Sequence, residues 1–348
     1  MKRVALFAVA GLIFLAASIG ELASRAASPS SSSAASRSFE FTSVIHVPAL
    51  PPGSRRLRIW VPLPYEDGAQ KISDLRVFAP VEYRVERDKQ YGNRAAYFAV
   101  GAEDAQAPFD FRVTFHAERL EHRVALASSS NGPVRPVIST ARFLRPDRLV
   151  PIDGVIGELS REQTQGAALP VDKARKIYEY VVSTMRYDET GAGWGQGDAV
   201  WACNSKRGNC TDFHSVFIGM ARAAGIPARF EIGFALPVGS HGGAIASYHC
   251  WAKFYAQGIG WIPVDASEAW KNPDKRDYFF GATDQNRVMM SLGRDIRLKP
   301  AQKGPRLNYF VYPYAELDGK PFANLTSDYS FRDDRLPTAP AGKIQTSD

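Results

Sequence analysis

The chain has 348 residues, enough for about two domains of ~150 residues each. Hydrophobic residues make up 45% and charged residues 23%, as in an ordinary soluble globular protein. The formal net charge is +7, but no basic cluster is interleaved with aromatic residues. Composition and charge therefore argue against a nucleic-acid-binding protein.

The amino terminus has the pattern of a secretory signal peptide, which we place at residues 1–26. Lys2 and Arg3 give a basic start, an apolar run follows over residues 4–19, and small residues come next. The run is about 16 residues, shorter than the ~20 of a membrane-spanning helix, so cleavage is expected and an uncleaved anchor is the alternative. Residues 27–37 then form a Ser/Ala-rich spacer. We expect an exported, periplasmic protein with no integral membrane partner.

Residues 38–130 predict a β-sandwich. Apolar and polar residues alternate over residues 39–41, 57–61 and 111–115, and turn-rich pieces separate these runs. No helical periodicity is convincing in this part of the chain. Several short strands joined by turns are typical of a sandwich.

Residues 145–300 predict an α+β domain. Val171, Ile177 and Val181 have helical spacing after Pro170, and a Gly-rich loop follows. Strands are predicted around residues 230–234, 249–255 and 261–265, with a further strand between 277 and 298. Residues 301–348 are assigned to a C-terminal extension that is partly disordered, because its end is polar and Pro-bearing.

Cys210 is the most informative residue of the chain. From Cys210 onward apolar residues recur at a spacing near 3.6, and Gly225 and Pro227 end the pattern, so Cys210 lies in the first turn of a helix. The unpaired N–H groups and the positive end of the helix dipole favour a thiolate there and lower the thiol pKa from about 8.5. The same N–H groups suit the oxyanion of a tetrahedral intermediate. Cys210 therefore has the setting of a catalytic nucleophile.

A Gly-bearing loop between two predicted strands turns His249 towards Asp265. A turn centred on Gln257 makes these two residues directly opposed, with Cβ atoms about 4.5–5.5 Å apart. A turn centred on Gly258 instead pairs His249 with Ser267 and leaves Asp265 diagonal, at about 7–8 Å. In the first register the carboxylate hydrogen-bonds one ring nitrogen and the other faces the cysteine.

The order Cys, His, Asp, with the cysteine on a helix and the other two on adjacent strands, resembles the transglutaminase-like superfamily. The resemblance covers roughly residues 145–300 and is carried by residues 208–213, 223–229, 249–255 and 260–265. It implies a cysteine-protease-like α+β fold and acyl transfer from an amide. In relatives of this family a similar β-sandwich precedes the catalytic domain.

From these residues and this resemblance we expect a Cys210–His249–Asp265 triad. The thiolate attacks a carboxamide or peptide carbonyl, the imidazole moves protons and the carboxylate orients the imidazole. The expected substrate is a protein or peptide, such as an envelope or cell-wall peptide, and no cofactor or metal is required. Hydrolysis and transamidation are both compatible with the pattern. The alternatives are an inactive envelope- or peptide-binding module of the same fold and an acetyltransferase with the same triad.

Three further side chains are candidates near this triad. Asn204 is a candidate oxyanion donor, by analogy with an upstream glutamine in papain-like enzymes. Trp201 either lines the cleft or belongs to the core. His214, four residues after Cys210, is a competing but less favoured base, because a histidine on the same helix rarely aims at the same carbonyl.

The other two cysteines have several interpretations. Cys250 follows His249 in a strand and is expected to face the opposite side of the sheet. In an exported protein Cys203 and Cys250 either pair as a disulfide or stay as buried thiols. A zinc site built from the cysteines with His214 and His249 fits no common spacing, so no metal is predicted.

Overall fold

The computed structural model describes residues 34–101, 106–126 and 140–334. The predicted signal peptide lies outside the described residues, as do the spacer up to residue 33 and residues 335–348. The strands of the first part of the chain are β1 (Ser36–Val47), β2 (Arg56–Pro62), β3 (Gln70–Phe78), β4 (Tyr83–Arg87), β5 (Arg94–Gly101), β6 (Phe109–Leu120) and β7 (His122–Arg123).

The second part of the chain alternates helices and strands. The helices are α1 (Gly154–Gln163), α2 (Pro170–Thr184), α3 (Ala199–Ser205), α4 (Cys210–Ala223) and α5 (Ala266–Lys271). The strands are β8 (Arg186–Tyr187), β9 (Arg207–Gly208), β10 (Ala228–Ala235), β11 (Gly242–Ala244), β12 (Tyr248–Ala256), β13 (Gly260–Val264), β14 (Ala282–Thr283), β15 (Arg287–Leu292), β16 (Tyr314–Leu317), β17 (Lys320–Pro321) and β18 (Thr326–Asp333). None of the helices in the described part of the chain is long and apolar enough to cross a membrane.

Two five-stranded antiparallel sheets pack face to face. One has the order β11-β18-β1-β6-β3 and the other β17-β16-β2-β5-β4. Alternate residues of β1 and β6 are buried, so each strand turns one face to the core. Phe98 of β5 stacks on Phe111 of β6 across the two sheets, with ring centroids 4.0 Å apart. The α+β class with a sheet-rich N-terminal part is confirmed.

The C-terminal strands complete these same two sheets. β18 pairs with β1 over eight residue pairs, from Phe39 opposite Asp333 to His46 opposite Thr326. β16 pairs with β2 on the other sheet. Tyr329 and Phe331 alternate with polar residues and are buried, so β18 has the pattern of a half-buried strand. Residues that the sequence assigned to a C-terminal extension therefore lie beside the first strands of the chain.

A four-stranded antiparallel sheet, β13-β12-β10-β15, supports the helical part. Helix α4 packs on this sheet, where Phe217 meets Phe254 of β12 at a ring-centroid distance of 6.3 Å. Nearly every residue of α4 is buried, because the sheet covers one side and α1, α2, α3 and α5 contact the others. Gly225 follows α4 with φ +79°, the left-handed conformation that favours glycine after a helix. The predicted helix after Cys210 and the predicted strands around it are present.

Candidate active site

Cys210 is the first residue of α4. The preceding Asn209 is the N-cap: its side chain accepts the Thr211 N–H at 2.9 Å, and Asp212 Oδ2 accepts the Asn209 N–H at 2.9 Å. Gly208 has φ +144°, and a Cβ there would lie 2.3 Å from Asp212 Oδ2, so no side chain fits. This cap fixes the thiol where the helix dipole favours its ionised form.

The β12–β13 hairpin adopts the second of the two predicted registers. Ala252 lies opposite Val264, so the turn is centred on Gly258, and the register centred on Gln257 is wrong. Gly258 has φ +82°, a left-handed conformation that suits glycine at the centre of the turn. β13 ends at Val264, and Asp265 is already the N-cap of α5.

His249 and Asp265 nevertheless meet. His249 Nε2 lies 2.8 Å from Asp265 Oδ2, and both side chains are buried. This bond leaves the other ring nitrogen, Nδ1, for the Cys210 thiol, which lies close enough to the His249 imidazole for the two to shift each other's pKa. The structure therefore brings all three predicted triad residues together, with the carboxylate supplied by the turn into α5 and not by an opposed strand residue.

The three groups change one another's protonation. Burial opposes ionisation of Cys210, but hydrogen bonds with the Cys250 thiol and the His249 imidazole, and the charge on that imidazole, hold the pKa of Cys210 well below its ordinary value. Burial also lowers the pKa of His249, but the Asp265 carboxylate and Cys210 outweigh it and raise that pKa to about 10. The site favours a thiolate beside an imidazolium.

Arg287 of β15 is a site residue that sequence reasoning missed. It is 2% exposed, and its guanidinium donates to Asp265 Oδ2 at 3.0 Å and to Asp284 Oδ2 at 3.0 Å. Burial raises the pKa of Asp265, but His249 and Arg287 together hold it well below the ordinary value. No local sequence signal links Arg287 to Asp265, because the pairing of β10 with β15 brings it to the site.

His214 is placed as a bridge between helices. Its Nδ1 donates to the Cys210 carbonyl at 2.7 Å, and its Nε2 accepts the Ala266 N–H at 3.1 Å. These two bonds require a neutral ring with its proton on Nδ1. Burial lowers the pKa of His214, although Asp265 lies 3.6 Å away. The Nδ1 bond lies within α4 and the Nε2 bond joins α4 to α5, so both ring nitrogens are engaged and His249 is the histidine available to the thiol.

All three cysteines are free and buried. Cys250 faces α4, with its Sγ 3.6 Å from His214 Nδ1 and 3.8 Å from Thr211 Oγ1. Burial and the neighbouring Cys210 raise the pKa of Cys250 well above its ordinary value, so it stays a neutral thiol. Cys203 on α3 is also a buried thiol whose pKa burial raises. Within the described ranges, no three His, Cys, Asp or Glu side chains are grouped to hold a metal ion.

Asp212 ties the Gly-rich loop to the start of α4. Its Oδ2 accepts the Gly195 N–H at 2.7 Å, and its Oδ1 accepts the Gly197 N–H at 2.9 Å, in addition to the bond with Asn209. Three backbone donors therefore converge on one buried carboxylate. The loop is fixed against the helix that carries Cys210.

Tyr248, the residue before His249, was also missed. Its hydroxyl lies 3.0 Å from Thr211 Oγ1 and accepts a hydrogen bond from Asn209 Nδ2 at 3.0 Å. The ring contacts Tyr309 and Tyr312, with centroids 5.6 and 6.0 Å away. A cavity of about 690 Å³ opens beside Tyr312; its other walls include Ala244, Ile245, Ala246, Leu325 and Tyr329.

The two weaker candidates differ in position. Trp201 is half-buried under the Gly-rich loop, and a Cβ at Gly193 would lie 2.5 Å from its Nε1. Asn204 is exposed on α3, and no hydrogen bond in the described part of the chain joins it to Cys210. The loop contact is consistent with a supporting position for Trp201, whereas Asn204 is not brought to the triad.

The sequence profile of the transglutaminase-like superfamily matches residues 157–266, which include all three triad candidates. This part of the chain is a transglutaminase-like core. The match starts within α1 and ends at the first residue of α5, so the family pattern coincides with the elements that position Cys210, His249 and Asp265.

Comparisons with whole proteins extend the similarity beyond the transglutaminase-like core. An uncharacterised protein of Haemophilus influenzae is 29% identical over 322 residues, covering 81% of this chain and 86% of that protein. The crystal structure of a candidate cysteine protease from Cytophaga hutchinsonii has a TM-score of 0.62 at 17% identity, covering 88% of this chain and 93% of the other. At this low sequence identity, the similarity to the Cytophaga hutchinsonii structure is a similarity of fold.

The periplasmic domain of TgpA from Pseudomonas aeruginosa is a more distant structural neighbour. Its TM-score is 0.35 at 16% identity, and the similarity covers 69% of this chain and 92% of that one.

Proposed function

We propose that this protein is an exported thiol-dependent enzyme that hydrolyses or transfers acyl groups at carboxamide or peptide bonds. The observation that carries the proposal is the buried His249–Asp265 hydrogen bond beside a Cys210 thiol at a helix start. A nucleophile, a base and a group that orients the base are the parts that covalent acyl transfer needs. The match to the superfamily supports thiol-dependent catalysis in general.

The proposed first step is attack of the Cys210 thiolate on the carbonyl carbon. The carbon–sulfur bond forms, and the carbonyl electron pair moves to oxygen to give a tetrahedral oxyanion. The His249 imidazolium then gives its proton to the departing amine, the carbon–nitrogen bond breaks and a thioester remains. Water or an amine attacks the thioester, passes its proton to His249 and regenerates the thiolate.

The oxyanion requires donors at the start of α4. The first N–H groups of a helix have no intrahelical acceptor, and the Cys210 N–H is among them. We assign the Cys210 N–H to the oxyanion. The Tyr248 hydroxyl is the second candidate, since it lies over the same turn in contact with Thr211. Asn204 is not proposed, because it is exposed on α3.

The proposed substrate is a protein or peptide of the cell envelope. The cavity beside Tyr312 combines apolar walls with the polar residues Ser327, Asp328 and Ser330. The ring of Tyr312 in its wall contacts the ring of Tyr248, next to His249. A cavity of this size with apolar and hydrogen-bonding walls can accept a peptide side chain.

The test combines thiol labelling with product analysis. The wild-type protein should react with iodoacetamide at about pH 6, because its thiolate persists below the ordinary thiol pKa. Peptides containing glutamine should then give deamidated or cleaved products, and an added primary amine should give an adduct if transfer competes with hydrolysis. Mass spectrometry distinguishes these products.

Cys210→Ser should abolish turnover in a folded protein, whereas Cys203→Ser, which removes a buried thiol on α3, should retain it. Wild-type activity in Cys210→Ser would remove the nucleophile. If the wild-type thiol is inert at about pH 6 and no peptide is converted, the protein is a binding module of the same fold.

A further inference from the structure

A second concave surface lies on the sheet β17-β16-β2-β5-β4, on the face turned away from the sandwich core. Residues 297–306 cross this face. Trp60 Nε1 donates to the Pro300 carbonyl at 3.1 Å, and Arg58 Nη2 donates to the Ala301 carbonyl at 3.0 Å. Trp60 packs with Leu298 in a small core of its own, separate from the core between the two sheets. The crossing segment is therefore anchored to the sheet, and it contributes residues to the walls of two cavities.

The first cationic cavity has a volume of about 620 Å³. Five of its wall residues are cations and none is a carboxylate: Lys89, Arg142, Arg297, Lys299 and Arg306. Within the described residues only Lys299 among them has an ion pair, with Glu86 at 3.3 Å. Arg297, Arg306 and Lys89 are also exposed, so in the described part of the chain three charges face solvent without a carboxylate partner.

The second cationic cavity is lined in part by Pro300 and Lys303 of the crossing segment and also has a volume of about 620 Å³. Its cations are Arg55, Arg56, Arg58, Arg84 and Lys303. Asp318 is the one carboxylate in the wall, and it accepts the backbone N–H groups of Arg55 and Arg56. Glu316 pairs with Arg58 at 3.0 Å. Within the described ranges, the other four cations of this cavity have no ion pair with a carboxylate.

Hydrogen bonds from two buried side chains to backbone groups hold the crossing segment in place. Gln302 accepts the Leu298 N–H at 2.9 Å and donates to the Ile296 carbonyl at 3.1 Å. Glu316 accepts the N–H groups of Lys303 and Gly304 at 2.6 and 2.7 Å. Like charges gathered in fixed concave walls repel one another, and an anion in the cavity relieves that repulsion. The arrangement is preorganised for a ligand of opposite charge.

We propose that these two cationic cavities bind phosphate groups of an anionic ligand. Seven of the ten cations are arginines, whose planar guanidinium matches phosphate oxygens with two parallel hydrogen bonds. The cavity walls also offer Leu298 and the aliphatic stems of the cations to the body of the ligand. The ligand is either a soluble phosphorylated molecule or the phosphorylated headgroup of an envelope lipid. The site is independent of the proposed function and shares no residue with it.

The test uses the full chain and two probes. Isothermal titration with sodium tripolyphosphate measures a soluble ligand, and co-sedimentation with phosphatidylcholine vesicles containing phosphatidylglycerol measures headgroup binding. Arg297→Glu/Arg306→Glu and Arg56→Glu/Arg84→Glu should each weaken binding about tenfold or more, because charge-assisted bonds become repulsive. The control Lys176→Glu/Lys275→Glu, which reverses two exposed charges on the helical part, should bind as the wild type does.

Binding of tripolyphosphate supports a soluble source, and binding of vesicles alone supports a headgroup. If the glutamate variant misfolds, the test is repeated with Arg297→Gln/Arg306→Gln. Thermal unfolding checks that each variant is folded. The proposal is overturned if neither probe binds, if the control loses as much affinity as the cavity variants, or if a short DNA duplex competes as strongly as tripolyphosphate.

Discussion

Two histidines contact the same buried aspartate, and their pKa values shift in opposite directions. His249 shares a 2.8 Å hydrogen bond with Asp265 and gains a pKa of about 10. His214 lies 3.6 Å from the same carboxylate, but its two nitrogens are used by the Cys210 carbonyl and the Ala266 N–H, and burial lowers its pKa. The hydrogen-bond partners, not distance to the carboxylate alone, decide which ring becomes cationic.

Asp265→Asn is predicted to shift the ionisation of the thiol. Removing the carboxylate removes the main cause that raises the His249 pKa, so that pKa falls from about 10. With less imidazolium beside it, the thiolate is less stable, and the pKa of Cys210 rises towards about 8.5. The pH dependence of iodoacetamide labelling should move upward accordingly, and turnover should drop on the order of 10²–10⁴-fold.

Asp284→Asn is the matched control for that variant. Asp284 pairs with Arg287 at 3.0 Å in the same network and also accepts the Asn286 N–H, so it acts on His249 only through Arg287 and Asp265. It should leave the labelling profile near that of the wild type. Equal shifts in both variants would show that the network as a whole, and not Asp265, sets the ionisation of Cys210.

In the wild type, the ionisation of Cys210 and His249 sets the two limits of the pH range in which the thiolate–imidazolium pair exists. Cys210 has a depressed pKa, so thiolate is present above that pKa and is lost as pH falls through it. His249 has a raised pKa, so imidazolium is present below about pH 10 and is lost as pH rises through that value. The thiolate–imidazolium pair therefore exists between these limits, and the limits belong to the pair as a unit.

At the scale of elements, the active site depends on how α4 joins the Gly-rich loop. A single carboxylate, Asp212, accepts backbone N–H groups from Gly195, Gly197 and Asn209. The loop has several glycines with positive φ, such as Gly197 at +60°, so it has little rigidity of its own. Its conformation is set by the helix it contacts.

Asp212→Ala is predicted to destabilise the protein by about 3–5 kcal/mol, because three buried donors lose their acceptor together. It should also expose residues 191–197 to limited proteolysis. Asp198→Ala is the control: Asp198 caps α3 by accepting two backbone N–H groups but is only half-buried, so its loss should cost about 1 kcal/mol. Urea unfolding measures both, and similar losses would mean that Asp212 acts as an ordinary helix cap.

At the scale of the whole molecule, the two ends of the described chain form one structure. β18 lies beside β1 and β16 lies beside β2, so each five-stranded sheet contains strands from both ends. β11, from the segment between β10 and β12, also pairs with β18. The sheets and the transglutaminase-like core are therefore linked by backbone pairing as well as by the chain connection.

A chain ending at Pro313 is predicted not to fold to a soluble monomer. It lacks β16, β17 and β18, so β1 and β2 would each expose an unpaired edge, and Phe41 would lose its contact with Tyr329. A chain ending at Asp334 keeps every pairing described above and serves as the control. Size-exclusion chromatography and thermal unfolding compare the two; equal unfolding midpoints would show that these strands are accessory.

Local sequence determined much of the site. The apolar spacing after Cys210 and the terminating Gly225 define α4, and the triad order is readable because each residue has its own local pattern. The sequence determined the β12–β13 turn less well, because it allowed a turn centred on either Gln257 or Gly258. The structure centres the turn on Gly258, which has a positive φ. Helix periodicity is a property of neighbouring residues, whereas register depends on one backbone angle that sequence constrains only weakly.

Tertiary structure alone decided the remaining features. Arg287 reaches Asp265, Cys250 reaches Cys210, and β18 pairs with β1 across almost the whole chain. The sequence by itself determined the helix that presents the thiol and the identity of the three candidate residues, because these follow from local periodicity and residue chemistry. It did not determine their partners, because contacts between distant segments form only when the sheets pack, and side-chain charge is set by that packing.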